Sequence, residues 1–150
     1  MASSVNIVNA EVLLKERGIE LIEERSTDVA IFSSMITAEV AGREGLAVAS
    51  GTLFGNNMPR LVQKADYRLE SYLDGNLMVF CHRDIPGVIG RVGTMFGEAD
   101  VNIANMAVSR TKEGGKALMA LSIDTPAPPE LVERLHTVGF DDARFISLAV

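Results

Sequence analysis

Cysteine is almost missing from this chain, with Cys81 the only one. One thiol excludes a disulfide framework, a cysteine zinc site and a protein-ligated iron–sulfur cluster together. Long apolar runs are missing too. No stretch approaches the roughly 18 residues of a membrane-spanning helix, and Met1 to Ala10 has neither the basic flank nor the apolar core of a signal peptide. Basic side chains are outnumbered, 14 against 20 acidic, for a formal net charge of −6. A protein that tracks nucleic-acid phosphates needs the opposite balance. Length is short as well: 150 residues cannot hold a dinucleotide-binding domain together with a substrate domain. The expectation is a soluble, acidic, cytoplasmic protein with no nucleic-acid or membrane partner.

What is present reads as globular. Apolar residues make up 47% and charged residues 23%, which leaves neither disorder nor a fibrous repeat as an option. A chain of this size buries about 70% of its unfolded surface, enough for a core without staples.

The first half opens on an amphipathic stretch, Asn6 to Arg17, that predicts a helix stopped by Gly18. Ile19 to Glu24 alternates like a short strand. Asp28 to Val40 is rich in β-branched and small apolar residues and ends at Gly42 and Gly45, and Leu46 to Leu53 alternates, so the two predict a hairpin. Asn56-Asn57 marks a turn, and Leu61 to Tyr72 reads as mixed strand. Asp74-Gly75-Asn76 is the clearest turn signal and the expected domain boundary, giving units 1–74 and 75–150.

Beyond it the pattern sharpens. Leu77 to Cys81 is a continuous apolar run, as in a strand covered on both faces or packed at an interface. Asp84 can cap a helix with Pro86 in its first turn and Val88, Val92, Met95, Phe96 and Ala99 on its apolar face. Asn102 to Arg110 and Lys116 to Asp124 alternate around Thr111-Lys112-Glu113-Gly114-Gly115, a second hairpin. Pro128-Pro129 opens a helix closed by Gly139, and Phe140 to Val150 supplies a last strand. The order β-α-β-β-α-β over about 75 residues is the ferredoxin-like arrangement. The expected class is therefore α+β, a small mixed unit followed by a ferredoxin-like one.

Some apparent motifs dissolve on inspection. His82-Arg83-Asp84 spells a kinase catalytic-loop triplet, but no glycine-rich loop with its lysine accompanies it. Glycines 87, 90, 93 and 97 do not have dinucleotide-fingerprint spacing. His82, Asp84 and His136 do not make a metal set, since His136 lies far along the chain. The glycines still carry information, because a mid-helix glycine costs about 0.5–1 kcal/mol against alanine. A row of them predicts close packing against the sheet or a partner subunit, or a ligand at the helix N-terminus, where free N–H groups welcome a carboxylate. Nearby, Asp84 can accept from an ammonium group, His82 can bond a carboxylate or hydroxyl, and Asn102 offers donor and acceptor together. Equally, Asp84 can be only a cap, Asn102 only a turn residue and His82 only a strand-end filler. Cys81 is expected to pack as a small core hydrophobe.

The run His82-Arg83-Asp84-Ile85-Pro86-Gly87-Val88-Ile89-Gly90-Arg91-Val92-Gly93, followed by Val101-Asn102-Ile103-Ala104, strongly resembles the ACT domain of the D-3-phosphoglycerate dehydrogenases. Val5-Asn6-Ile7-Val8-Asn9-Ala10 and Ser50-Gly51-Thr52-Leu53-Phe54-Gly55 resemble the intervening, allosteric-substrate-binding domain of the long form. The resemblance implies a regulatory segment, not an enzyme by itself, whose catalytic and NAD-binding domains lie outside this chain. No cofactor is implied in the segment. It implies ACT domains paired side by side in a homodimer, with L-serine or a similar small amino acid at their interface. The implied effector-binding residues are His82, Asp84, Pro86, Gly87, Val88, Asn102 and Ile103. In the intervening half the family holds an anion with basic side chains. Arg60 matches one such position, with Lys64 or Arg68 as substitutes for a second, because Tyr72 stands where some members carry arginine. Two other readings remain open at this stage: a subunit of the iron–sulfur L-serine dehydratase, which joins similar domains, and a free-standing amino-acid sensor acting in trans.

Overall fold

A computed structural model describes residues 5–27, 32–43 and 45–148. The chain divides into two compact units, Met1–Ile31 and Phe32–Val150.

In the first unit, helix α1 (Ala10–Glu16) is shorter than the sequence pattern predicts. The Asn6 side chain accepts from the Val8 and Asn9 N–H groups, and Asn9 Oδ1 accepts from Asn6 N–H, so the preceding residues form a side-chain-stabilised turn instead of a helical one. Gly18 stops the helix at φ 69°, and Ile19 N–H bonds back to Leu14 O at 2.9 Å, as expected of a glycine terminator. The strand expected over Ile19 to Glu24 is absent. Alternation creates a strand only where another strand supplies hydrogen bonds, and these residues pair with none of the described ones.

The second unit contains two antiparallel four-stranded sheets. The first is a meander of β1 (Ile36–Gly42), β2 (Gly45–Phe54), β3 (Met58–Lys64) and β4 (Tyr67–Tyr72). The β1–β2 hairpin matches the expectation from Gly42 and Gly45, with Ile36 opposite Gly51. The predicted Asp28–Val40 strand begins only at Ile36, and its residues 28–31 lie outside the described ones. Leu61 to Tyr72, read as one stretch, is two strands around a turn in which Ala65 adopts φ 50°. Asp66 is the one residue of turn type there, with no glycine, proline or asparagine beside it, so alternation alone runs straight through the turn.

The second sheet has the order β6-β7-β5-β8, from β5 (Gly75–Arg83), β6 (Ile103–Arg110), β7 (Lys116–Ile123) and β8 (Asp141–Leu148). Helix α2 (Val88–Glu98) joins β5 to β6, and α3 (Pro129–Thr137) joins β7 to β8. This is the ferredoxin-like arrangement read from the pattern. The helices bury Val88, Val92, Met95, Phe96, Leu131 and Leu135 against Met78, Phe80, Met119, Leu121 and Ile123. On the opposite face Leu77, Val79, Leu118 and Ala120 are covered by Tyr67, Leu69 and Leu73. The unbroken apolar run of β5 is thus explained by cover on both faces within one chain. Asp74 lies inside this unit, on the short link that carries the chain from β4 into β5, where Gly75 turns at φ 59°.

Candidate functional site

The carboxyl end of β5 and the start of α2 bring five of the implied effector residues together. His82 is the last inward-facing residue of β5, on the same face as Phe80, and only 4% exposed. Its Nδ1 lies 2.8 Å from the Arg83 carbonyl oxygen, which fixes the hydrogen on that nitrogen in the neutral ring. Nε2 is left as a buried acceptor with no partner among the described residues. Phe140 closes one side, its ring edge-on to the imidazole at 6.1 Å.

Asp84 follows on the loop. The expected helix cap is not made: Gly87 is the capping residue, at φ 88°, α2 has no side-chain cap, and Pro86 precedes the helix. The first-turn N–H groups of α2 thus have no side-chain cap among the described residues. Asp84 pairs with Arg110 at the end of β6, Oδ2 to Nη1 at 2.9 Å. Hydrogen bonding from Arg110, against some loss of hydration, holds the Asp84 carboxyl below its ordinary range, with further help from the Arg110 charge and the Gly114 backbone. The same hydrogen bond raises Arg110. Val88 is buried in the core, which anchors the first turn of α2.

Arg110 escapes a motif search because it belongs to no motif. Strand register reveals it: His82 and Arg110 both stand opposite Ala117, so the three form one row across β5, β7 and β6. Two strand spacings put the outer backbones about 10 Å apart, with a single methyl group between them.

Asn102 and Ile103 are elsewhere. Ile103 pairs with Ile123, six residues along β7 from Ala117, or about 20 Å. Asn102 Nδ2 donates to Asp124 Oδ2 at 2.7 Å, and its carbonyl accepts from Asp124 N–H. The expectation that flanking strand positions meet around the helix start is therefore corrected within one chain: in a β-α-β unit the second strand begins where the first one began, at the far end of the sheet.

The glycine row needs correction too. At Gly87, Gly90, Gly93 and Gly97 no described atom lies within 4 Å of where a β-carbon would stand, so the helix does not press these residues on its own sheet. Cys81 is half-buried, and burial pushes its thiol up. Among the described residues no cluster of His, Cys, Asp or Glu is placed to hold a metal, and no helix is long and apolar enough to cross a membrane.

Two of the three basic residues named for the first sheet, Arg60 and Lys64, are already engaged through their side chains. Arg60 is buried, stacked on Tyr72 at 3.9 Å and near Phe54 at 5.7 Å, and it donates to the Pro59 carbonyl. Lys64 pairs with Asp142 at 3.4 Å. Arg68 is exposed on β4, and its carbonyl accepts from Ser109 Oγ.

The sheet order and the helix pair on one face are those of a ferredoxin-like domain, and the ACT domain family model matches residues 75–140. The preceding residues 1–64 match the family model of the D-3-phosphoglycerate dehydrogenase intervening domain. Taken together the two matches make the chain similar, over most of its length, to the C-terminal regulatory segment of the D-3-phosphoglycerate dehydrogenases. It is 36% identical over 145 residues to D-3-phosphoglycerate dehydrogenase of Synechocystis, covering 96% of this chain and 26% of the relative. With the enzyme of the same name from Archaeoglobus fulgidus it shares 35% over 151 residues, 99% of this chain and 28% of the relative. The Bacillus subtilis enzyme is 36% identical over 136 residues, 91% of this chain and 26% of the relative. The chain thus spans about a quarter of the length of these curated relatives.

Proposed function

We propose that this chain is an amino-acid-sensing regulatory segment, with L-serine the first candidate ligand, acting on the catalytic part of a D-3-phosphoglycerate dehydrogenase. The observation that carries the reading is His82 Nε2, a buried acceptor with nothing to accept from, beside an uncapped helix start and an ionised carboxylate. Leaving such an atom unpaired costs about 1–3 kcal/mol, and a hydroxyl or ammonium group of a small zwitterion removes the cost. Pro86 and Gly87 shape the loop that receives it. Asn102, about 20 Å away in the same chain, takes part only when a second copy sets its own β6 start beside this loop. The functional form is then a homodimer with shared sites.

Binding at a joint between two copies favours the arrangement in which both halves of the site are closed. Dehydrogenase domains attached to them, which hold the NAD, feel that change as altered turnover. A ligand of about seven heavy atoms is limited to roughly −10 kcal/mol, so an affinity in the micromolar range or weaker is expected, which suits a metabolite sensor.

Calorimetric titration of the 150-residue chain with L-serine tests the reading. Saturable heat is expected, with Asn102→Ala weakening binding by about 1–3 kcal/mol and His82→Ala by a similar amount. No heat at millimolar L-serine overturns it.

A further inference from the structure

We propose that Arg110 reads the ligand's carboxylate, and that the Asp84–Arg110 ion pair is the contact an amino acid opens on binding. The inference rests on the amino-acid-binding reading above and goes beyond it in naming a specificity residue and an exchange of partners.

The argument is one of charge and place. Asp84 and Arg110 carry opposite charges that meet at 2.9 Å, two residues along the chain from His82, whose Nε2 is buried with no partner among the described residues. A zwitterion also carries one charge of each sign, a few ångströms apart. Inserted between the two side chains, it exchanges one ion pair for two: its ammonium group faces Asp84, and its carboxylate faces Arg110. Net charge in the site is unchanged, so no unpaired charge is left behind.

Arginine suits the task, since its planar fork matches a carboxylate with two parallel hydrogen bonds. Room and reach are available as well. The Arg110 side chain is about half exposed, and among the described residues its ion pair is with Asp84, so it can swing without breaking the core. It shares a row with His82 across the small Ala117, which puts the two side chains on the same face of the sheet. A ligand that touches Asp84 and His82 therefore lies within reach of Arg110.

Two consequences follow from the exchange. Amines that lack a carboxylate leave Arg110 with no replacement for Asp84, so they compete poorly against the ion pair. Carboxylates that lack an amine leave Asp84 in the same position. Only a molecule with both groups replaces both halves.

The test is a two-dimensional NMR titration of the full 150-residue chain, wild type and Arg110→Gln, with L-serine and with ethanolamine, which is serine without its carboxylate. The wild type is expected to prefer L-serine by about tenfold or more, the scale of one lost charge-assisted hydrogen-bond set. In Arg110→Gln that preference is expected to collapse to within about threefold, through weaker L-serine binding while ethanolamine binding holds or improves. Arg110→Lys, which keeps the charge without the fork, is expected to fall between. Unchanged or tighter L-serine binding in Arg110→Gln, with the preference retained, overturns the proposal while leaving amino-acid binding in place. Equal loss of both ligands also overturns it, since that marks a general collapse of the site. No shifts with either ligand in the wild type overturn the amino-acid reading itself.

Discussion

The two sheets of the larger unit have the same strand number and the same antiparallel pairing, yet they are built on opposite terms. The second is covered twice, by α2 and α3 on one face and by Tyr67, Leu69 and Leu73 on the other, so Met78, Phe80, Leu118 and Leu121 are withdrawn from water almost completely. Among the described residues of this unit, neither α2 nor α3 packs on the first. All of β1 is exposed, Ile36 and Val40 included, and its buried residues are few and partly polar: Ser50, Thr52, Arg60 and Ser71 beside Leu61 and Val62. Its contribution to stability comes from β4, which turns its inward side chains toward the neighbouring sheet. The difference teaches that strand pairing organises a sheet, whereas burial of its faces stabilises it.

Substitution tests that contrast most sharply. Phe80→Ala is expected to cost about 3–5 kcal/mol, while Ile36→Ala, on the uncovered strand, stays within about 0.5 kcal/mol. Urea unfolding of the full chain reads both, and comparable losses at the two positions would erase the distinction. Leu69→Ala removes part of the cover from the second sheet, and a loss of about 1–2 kcal/mol is expected. Hydrogen exchange should then quicken at the β5 and β7 amides beneath it. If only β4 amides respond, the first sheet does not serve as a cover.

Acid sharpens the comparison at the site end of the second sheet. The Asp84 carboxyl lies below its ordinary value because Arg110 bonds its ionised form. Its stabilising contribution is therefore complete above the unfolded-state value near 4 and fades as pH falls through the lower folded value. Asp84→Asn is expected to flatten that acid-side decline in an unfolding series from pH 5 to about pH 2, and an unchanged slope would remove Asp84 from the account. A small effect of the opposite sign falls on the first sheet. Ala65 holds a left-handed conformation that strains any residue with a β-carbon, so Ala65→Gly should stabilise by up to about 1 kcal/mol in thermal unfolding.

Much of this architecture was legible from residue order. Val88, Val92, Met95 and Phe96 recur at helical spacing, Gly114-Gly115 marks the β6–β7 hairpin, and Pro128-Pro129 with Gly139 brackets α3. Each is a local signal, since propensity and turn chemistry act over a few residues. The Ala65 turn was hard to read because its one turn residue, Asp66, stands alone in an alternating stretch. The Ile19–Glu24 strand was overread because alternation does not reveal whether a partner exists. At the site, His82, Asp84 and Gly87 could be singled out from their neighbours in sequence. Their actual engagements could not: Arg110 reaches Asp84 from 26 residues away, and Asn102 is turned to Asp124.

By itself, then, the sequence determined the order of elements in the ACT half, the breaks between them and the residue types able to meet a small zwitterion. The three-dimensional fold decided the rest: that β4 closes the outer face of β5, that α2 leaves its glycine row open, that His82 keeps a buried nitrogen unpaired and that Asp84 is held by Arg110. Local patterns follow from steric and hydrogen-bonding rules that operate along the chain. Contacts between strands depend on register and on which faces meet, and those are settled only when the whole unit buries its apolar surface at once.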